Sequence, residues 1–261
     1  MDLGITGKVA LVMASSRGLG QAMAVSLAHE GVKVAITGRN LEGLKQSVQM
    51  IEAVGGTALA LTWDISDASL IDRLVTRVEN ELGPIDILIN NTGGPLPTTA
   101  AGQDPALWQK SFNDMVLSLI SITDRVLPGM RQRQWGRIIT STTSGAIAPI
   151  KNLAISNTLR AALLAWSKTL SSEVAADGVT VNVIMPGRVA TDRLRQLDEA
   201  RSLREGISYE AAVQLSLNQI PMARYGNPKE YGDTAAFLAS QNASFITGSV
   251  IRVDGGQIQA I

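Results

Sequence analysis

Short aliphatic runs alternate along this chain with longer stretches whose apolar positions recur every three or four residues. The runs at 9–13, 32–37, 59–63, 87–90, 137–140, 179–185 and 250–253 are β-branched or aliphatic and bounded by Gly, Asp, Asn or Pro. They are predicted to be buried strands. Between them, helices are predicted over about 18–29, 41–54, 66–82, 105–130, 152–176 and 228–240. Asn40 precedes the second helix, Ser66 opens the third, and Asn227-Pro228 opens the last, where Pro suits the first helical turn. Gly31, Gly55, Gly83 and Gly178 stand where helices should stop.

Six strand-to-helix alternations predict an α/β fold: a doubly wound, Rossmann-like domain with a seven-stranded parallel sheet. Strands of such a sheet are covered on both faces, which accounts for their continuous apolar character. No low-complexity linker or short repeat divides the chain, so one domain is expected over 1–261. Residues 192–219 are too long for a simple crossover. Residues 192–210 hold nine charges in nineteen positions, which suits a solvated helical insertion. The insertion begins beyond a strand C-terminus, where ligands bind in open α/β sheets, so a lid over about 192–220 is the sharper expectation.

Composition narrows the chemistry. Apolar residues make up 45% and charged residues 18%, the balance of a packed globule rather than of a disordered chain. Lys and Arg number 23, as do Asp and Glu, so no basic excess suggests nucleic-acid binding. With no cysteine, disulfides, thiolate nucleophiles and Cys-based zinc sites are excluded. His29 is the only histidine, so no His-cluster metal site can form and a Ser-His-Asp triad would depend on that one residue. No leader pattern opens the chain and no long apolar stretch interrupts it, so a cytoplasmic protein without a membrane span is expected.

The first strand runs into Ala14-Ser15-Ser16-Arg17-Gly18-Leu19-Gly20 and then a helix. Backbone N–H groups and the positive helix end at such a turn suit a pyrophosphate, and Gly18 and Gly20 permit close approach. Met23 stands where a third glycine is common. At the end of the second strand, Gly38-Arg39 stands where an NAD site would carry a carboxylate for the ribose 2′-hydroxyl. Arg17 and Arg39 together could clamp a 2′-phosphate, so NADP(H) is preferred over NAD(H).

Further marks extend over nearly the whole chain: Asp64-Ile65, Asn90-Asn91-Thr92-Gly93, Gly136-Arg137-Ile138-Ile139, Val181-Asn182-Val183, Pro186-Gly187 with Thr191, Ile220-Pro221 with Arg224-Tyr225-Gly226, and Thr247-Gly248 before Val253-Asp254-Gly255-Gly256. Together with the Ser15–Gly20 turn these resemble the short-chain dehydrogenase/reductase family, in particular its 3-oxoacyl-(acyl-carrier-protein) reductase branch. The resemblance implies a Rossmann-like fold, usually tetrameric, in which the two longest helices pair between subunits. It implies that Ser15, Ser16, Arg17, Gly18, Leu19 and Gly20 cradle the cofactor phosphates. Asp64 and Ile65 would contact adenine, Asn91 and Gly93 would flank its ribose, and Pro186, Gly187 and Val189 would adjoin the nicotinamide.

The departures from the family pattern fall on its catalytic Asn, Ser, Tyr and Lys. Counted without gaps, those positions hold Met115, Thr143, Ser156 and Arg160. Asn113 lies two residues from the Asn position and would point elsewhere on a helix. The family's first glycine of the phosphate turn is Ala14, and the preceding Thr is Met13. A Tyr-x-x-x-Lys match at Tyr225 and Lys229 is rejected because Gly226 and Pro228 break any helix between them. The pattern resembles a divergent subgroup lacking the usual tetrad.

Ser156 and Arg160 are four apart and share a helix face. Serine is a poor acid and arginine stays protonated, but the arginine can still hydrogen-bond ribose hydroxyls or a developing alkoxide. Thr143, with Ser141 or Ser144, could orient a carbonyl, or these hydroxyls could simply satisfy backbone groups. The expected function is an NADP(H)-dependent oxidoreductase interconverting a small carbonyl, a 3-oxoacyl group among the candidates, and its alcohol, as a dimer or tetramer. The alternative is a dinucleotide-binding sensor or subunit partner with little or no turnover.

Overall fold

The computed structural model describes residues 2–259. Seven strands, β1 (Val9–Val12), β2 (Lys33–Gly38), β3 (Thr57–Thr62), β4 (Ile87–Asn90), β5 (Gly136–Ser141), β6 (Val179–Pro186) and β7 (Val250–Val253), form one sheet in the order β3-β2-β1-β4-β5-β6-β7. Every neighbouring pair is parallel. The order reverses between β1 and β4, which opens a crevice at their C-terminal ends. Along β1, side chains divide between two cores. Val9 and Leu11 pack with Leu74, Val126 and Val174 on one face, while Ala10 and Val12 pack with Met23, Leu27 and Ala235 on the other.

Helices α1 (Gly18–His29), α2 (Leu41–Ala53) and α9 (Pro228–Ala239) cover one face; α3 (Ile71–Glu81), α5 (Ser118–Gln132) and α6 (Ala154–Val174) cover the other. Asn40 caps α2 by accepting from Gly43 N–H, and Asn227 with Glu230 forms a capping box on α9. Ser66 does not open α3. A 3₁₀ turn capped by Asp67 precedes the helix, and Ser66 instead bonds Asp64. The helix expected over 105–130 is α4 (Pro105–Phe112), then a π-helical segment Asn113–Leu117, then α5. The wider π turn aims Met115 and Val116 into a satellite core with Leu119, Ile155 and Leu163, and leaves Asn113 exposed.

The insertion after β6 is helical: α7 (Asp192–Glu205) and α8 (Tyr209–Leu217). The loop between β6 and α7 is fixed to the approach to α9 by Ala190 N–H donating to Gly226 O at 2.9 Å and Gly226 N–H to Arg188 O at 2.9 Å. Among the described residues, no helix is long and apolar enough to cross a membrane.

Candidate active site

One cavity of about 1110 Å³ lies over the C-terminal ends of the strands, roofed by α7. Of the residues singled out from the sequence, it gathers Ser16, Arg17, Gly18, Leu19, Gly20, Arg39, Asp64, Ile65, Asn91, Gly93, Thr143, Ser156, Arg160, Pro186, Gly187 and Val189 along one wall-to-wall track. Ser15 is the exception. Its hydroxyl donates to Val12 O at 2.8 Å and accepts from Thr37 N–H at 2.9 Å, so this fully buried side chain joins β1 to β2 rather than facing the cavity.

The phosphate turn is shaped by sterics. A Cβ on Gly20 would collide with Ala14 O and would lie 2.8 Å from Asn91 Nδ2, and Gly18 holds φ +60°. Ala14, at the position of the family's first glycine, also adopts a left-handed φ of 47°. Asn91 holds the turn from the side, donating from Nδ2 to Met13 O at 3.2 Å and Ala14 O at 3.1 Å. Arg39 approaches Asp64 at 3.6 Å with 79% of its side chain exposed, so it is free to turn toward a ligand. Hydrogen bonds from Ser66, with Arg39 nearby, hold the Asp64 carboxyl below the usual carboxylate range.

At the other end of the cavity, α6 places Ser156 above Arg160. Arg160 is buried, and its guanidinium donates to Ser141 O at 2.9 Å, Thr92 O at 2.9 Å and Gly93 O at 3.4 Å. Burial pushes its pKa down to about 10, so the side chain stays charged at neutral pH with carbonyl dipoles in place of a carboxylate. Ser156 is buried and lines the cavity, with no hydrogen-bond partner for its hydroxyl among the described residues. Thr143 lies at the cavity edge and accepts weakly from Gly145 N–H at 3.4 Å. Ser141 is removed from the candidates: a 2.9 Å hydrogen bond joins its hydroxyl to Tyr231, buried on the opposite face of the sheet. Asn113 accepts from Gln109 on the surface, whereas Met115 lines the cavity. Tyr225 and Lys229 are also apart: Tyr225 donates to Asp198 at 2.7 Å, and Lys229 pairs with Asp233.

Two features escaped the sequence reading. The first is a pair of buried hydroxyls, Thr92 Oγ1 and Thr142 Oγ1, that line the cavity without partners. β4 and β5 are in register with Asn90 beside Thr140, so Thr92 and Thr142 follow as neighbours beyond the strand ends. The second is Asp198, 1% exposed, which receives the Tyr225 hydroxyl and the Ser216 hydroxyl (2.9 Å) and pairs with Arg188 at 3.5 Å. It ties α7 to α8 and to both flanking loops. The Arg and Asp stood in the sequence, but only tertiary packing brings them together.

The cavity walls suit a dinucleotide. Five residues with buried polar atoms lacking partners, Trp63, Thr92, Thr142, Arg188 and Gln257, line it. Gly93 and Gly94 line it with open space where a Cβ would stand. Buried polar atoms are costly unless satisfied, so the cavity is built for a polar occupant.

This fold and site define a dinucleotide-type oxidoreductase scaffold, and comparison with known proteins agrees. The model of the Enoyl-(acyl carrier protein) reductase family matches residues 13–257. The chain belongs to the short-chain dehydrogenase/reductase family. It is 33% identical over 256 residues to the NADPH-dependent reductase BacG of Bacillus subtilis (strain 168), covering 97% of this chain and 99% of that one. It is 32% identical over 252 residues to the 3-oxoacyl-(acyl-carrier-protein) reductase FabG of Escherichia coli (strain K12), covering 96% and 97%. Among solved structures, L-sorbose reductase from Gluconobacter frateurii, complexed with NADPH and L-sorbose, superposes with a TM-score of 0.94 at 31% identity over the whole of both chains.

Proposed function

We propose that this protein is an NADP(H)-preferring oxidoreductase that interconverts a small carbonyl compound, a 3-oxoacyl group among the candidates, and its alcohol, using a substituted tetrad. The observation that carries the reading is the continuity of one cavity from the exposed Arg17 and Arg39 to Ser156 and Thr143. The whole chain, 1–261, acts as one dinucleotide-binding domain with 192–220 as its lid.

When bound, the nicotinamide supplies the hydride. Arg17 and Arg39 hold the 2′-phosphate, and the N–H groups of the Ser16–Gly20 turn hold the pyrophosphate. Asp64 and Ile65 border the adenine, Asn91 and Gly93 its ribose, and Pro186, Gly187 and Val189 the nicotinamide. Ser156 Oγ and Thr143 Oγ1 donate to the carbonyl oxygen and stabilise the alkoxide. Arg160 keeps its contacts to Ser141 O and Thr92 O and adds a fixed positive charge beneath the reacting centre. No residue here matches a tyrosine as proton donor, so water delivers the proton to the alkoxide past Ser156. Losing a positioned acid costs roughly 10²–10⁴-fold in rate.

A second reading is favoured by one observation: every hydrogen bond of Arg160 goes to a main-chain carbonyl, as for a structural cation. It makes the protein a dinucleotide-binding sensor or subunit partner. Stopped-flow NADPH oxidation with a carbonyl panel separates the two. The proposed assembly is a dimer or tetramer, in which a second copy of the chain would cover the fully exposed Phe245.

A further inference from the structure

Nine Lys and Arg side chains line the cavity against four Asp, in a chain whose formal charge is zero. A cleft lined by one sign of charge concentrates the opposite sign. Arg17 and Arg39 account for the excess at the adenine end, and they are remote from Ser156 along the track. At the substrate end most cations are already engaged. Lys110 pairs with Asp114 at 2.5 Å, Arg188 with Asp198, and Arg201 and Arg204 with Glu205, both at 3.0 Å.

Apart from the buried Arg160, whose guanidinium is held by main-chain carbonyls, two cations at this end have no carboxylate partner among the described residues: Lys151 and Arg193. The one hydrogen bond of Arg193 is long, 3.4 Å from Nη2 to Pro95 O. Lys151 precedes Asn152, whose carbonyl accepts from Thr98 N–H at 2.9 Å. Arg193 therefore meets one end of the strip from Pro95 to Thr98 and the backbone next to Lys151 meets the other, about 10 Å apart if the strip is extended. Both side chains line the cavity and both belong to exposed residues, so their charges are hydrated and reach the mouth. Met115, Ile150 and Leu153 add apolar surface to the same cavity.

We infer that the substrate is an anion: a carbonyl compound with a short apolar body and a terminal carboxylate or phosphate, held by Lys151 from the α6 side and Arg193 from the lid. The inference rests on the reductase reading above. It assigns the lid a binding role, because Arg193 can close on the anion only when α7 lies over the cavity.

The test uses NADP⁺-loaded protein and three probes of one skeleton: 4-oxopentanoate, 5-phosphooxy-2-pentanone and 4-oxopentanamide. Calorimetry is expected to show at least tenfold tighter binding of one or both anions than of the neutral amide. Preference for the carboxylate or for the phosphate identifies the source of the charge. Lys151→Gln and Arg193→Gln should each weaken the preferred anion about tenfold and leave the amide and NADPH affinities unchanged. Equal affinity for all three probes, or binding of none, overturns the inference while leaving the reductase reading in place. Weaker NADPH binding by Arg193→Gln, with anion preference retained, assigns that arginine to the cofactor and also overturns it. Failure of the protein to bind NADP⁺ at all is the separate result that defeats the reductase reading.

Discussion

Arg160 Nη1 donates to the main-chain carbonyl of Ser141 across 2.9 Å, and that bond ties α6 to the end of β5. The partner nitrogen reaches Thr92 O at the same distance, so one buried cation staples two strand ends that form the floor of the cavity. Arg160→Met should leave both carbonyls unsatisfied and lower stability by about 2 kcal/mol, since a lost partner costs the desolvation of the group it leaves behind. Arg160→Lys should lose less, because an ammonium can reach one carbonyl but not match the fork. Urea unfolding of the three proteins checks the order.

Ser156 is a buried residue that lines the cavity, and its hydroxyl has no hydrogen-bond partner among the described residues. Ser156→Ala should therefore cost little stability. It should lower kcat while leaving nucleotide affinity intact. Steady-state kinetics beside a cofactor titration reads both, and an unchanged kcat removes Ser156 from the mechanism. The double change Ser156→Tyr with Arg160→Lys should raise turnover, although Met115 still leaves no Asn in the site.

Ala14 occupies a left-handed backbone conformation, φ 47°, that disfavours a Cβ by roughly 1–2 kcal/mol. Ala14→Gly relieves that strain but adds entropy to the unfolded chain. The net expectation is unchanged or slightly raised stability, whereas Ala14→Val should be clearly destabilising. Thermal unfolding of the two variants distinguishes them.

The helical insertion of α7 and α8 is tethered through Asp198. Asp198→Ala leaves Arg188 partly buried and unpaired and removes the acceptor for the Tyr225 and Ser216 hydroxyls. Faster proteolytic cleavage within 192–217 is expected, with a raised KM. Burial, reinforced by the bond to Asp198, pushes the Tyr225 phenol up to about 12. A phenol with a raised folded pKa stabilises the fold below its unfolded value, about 10, and loses that contribution as pH climbs toward 12. Proteolysis within α7 and α8 should accelerate over that alkaline interval, and Tyr225→Phe should flatten the dependence.

The layered sheet was readable in advance because buried parallel strands impose continuous apolar runs, and caps such as Asn40 and Asn227 mark helix starts chemically. The tight turn after β1 was readable for a similar reason: Gly20 has to be glycine where Ala14 O and Asn91 crowd it. The interruption at Asn113–Leu117 was not, since a π turn keeps apolar residues recurring at nearly helical spacing. Ser15 was misplaced because strand-end alternation, not motif membership, decides which hydroxyl faces the cavity. The Ser141–Tyr231 bond and the Asp198 cluster join residues far apart in sequence, and no local pattern announces such a contact.

Calorimetric titration of nucleotide-free protein with NADPH and NADH tests most directly the proposed binding of NADP(H) through Arg17 and Arg39. Tight NADPH binding is expected, with NADH at least tenfold weaker, and Arg39→Ala should erase most of the difference. Binding of neither nucleotide would contradict the account.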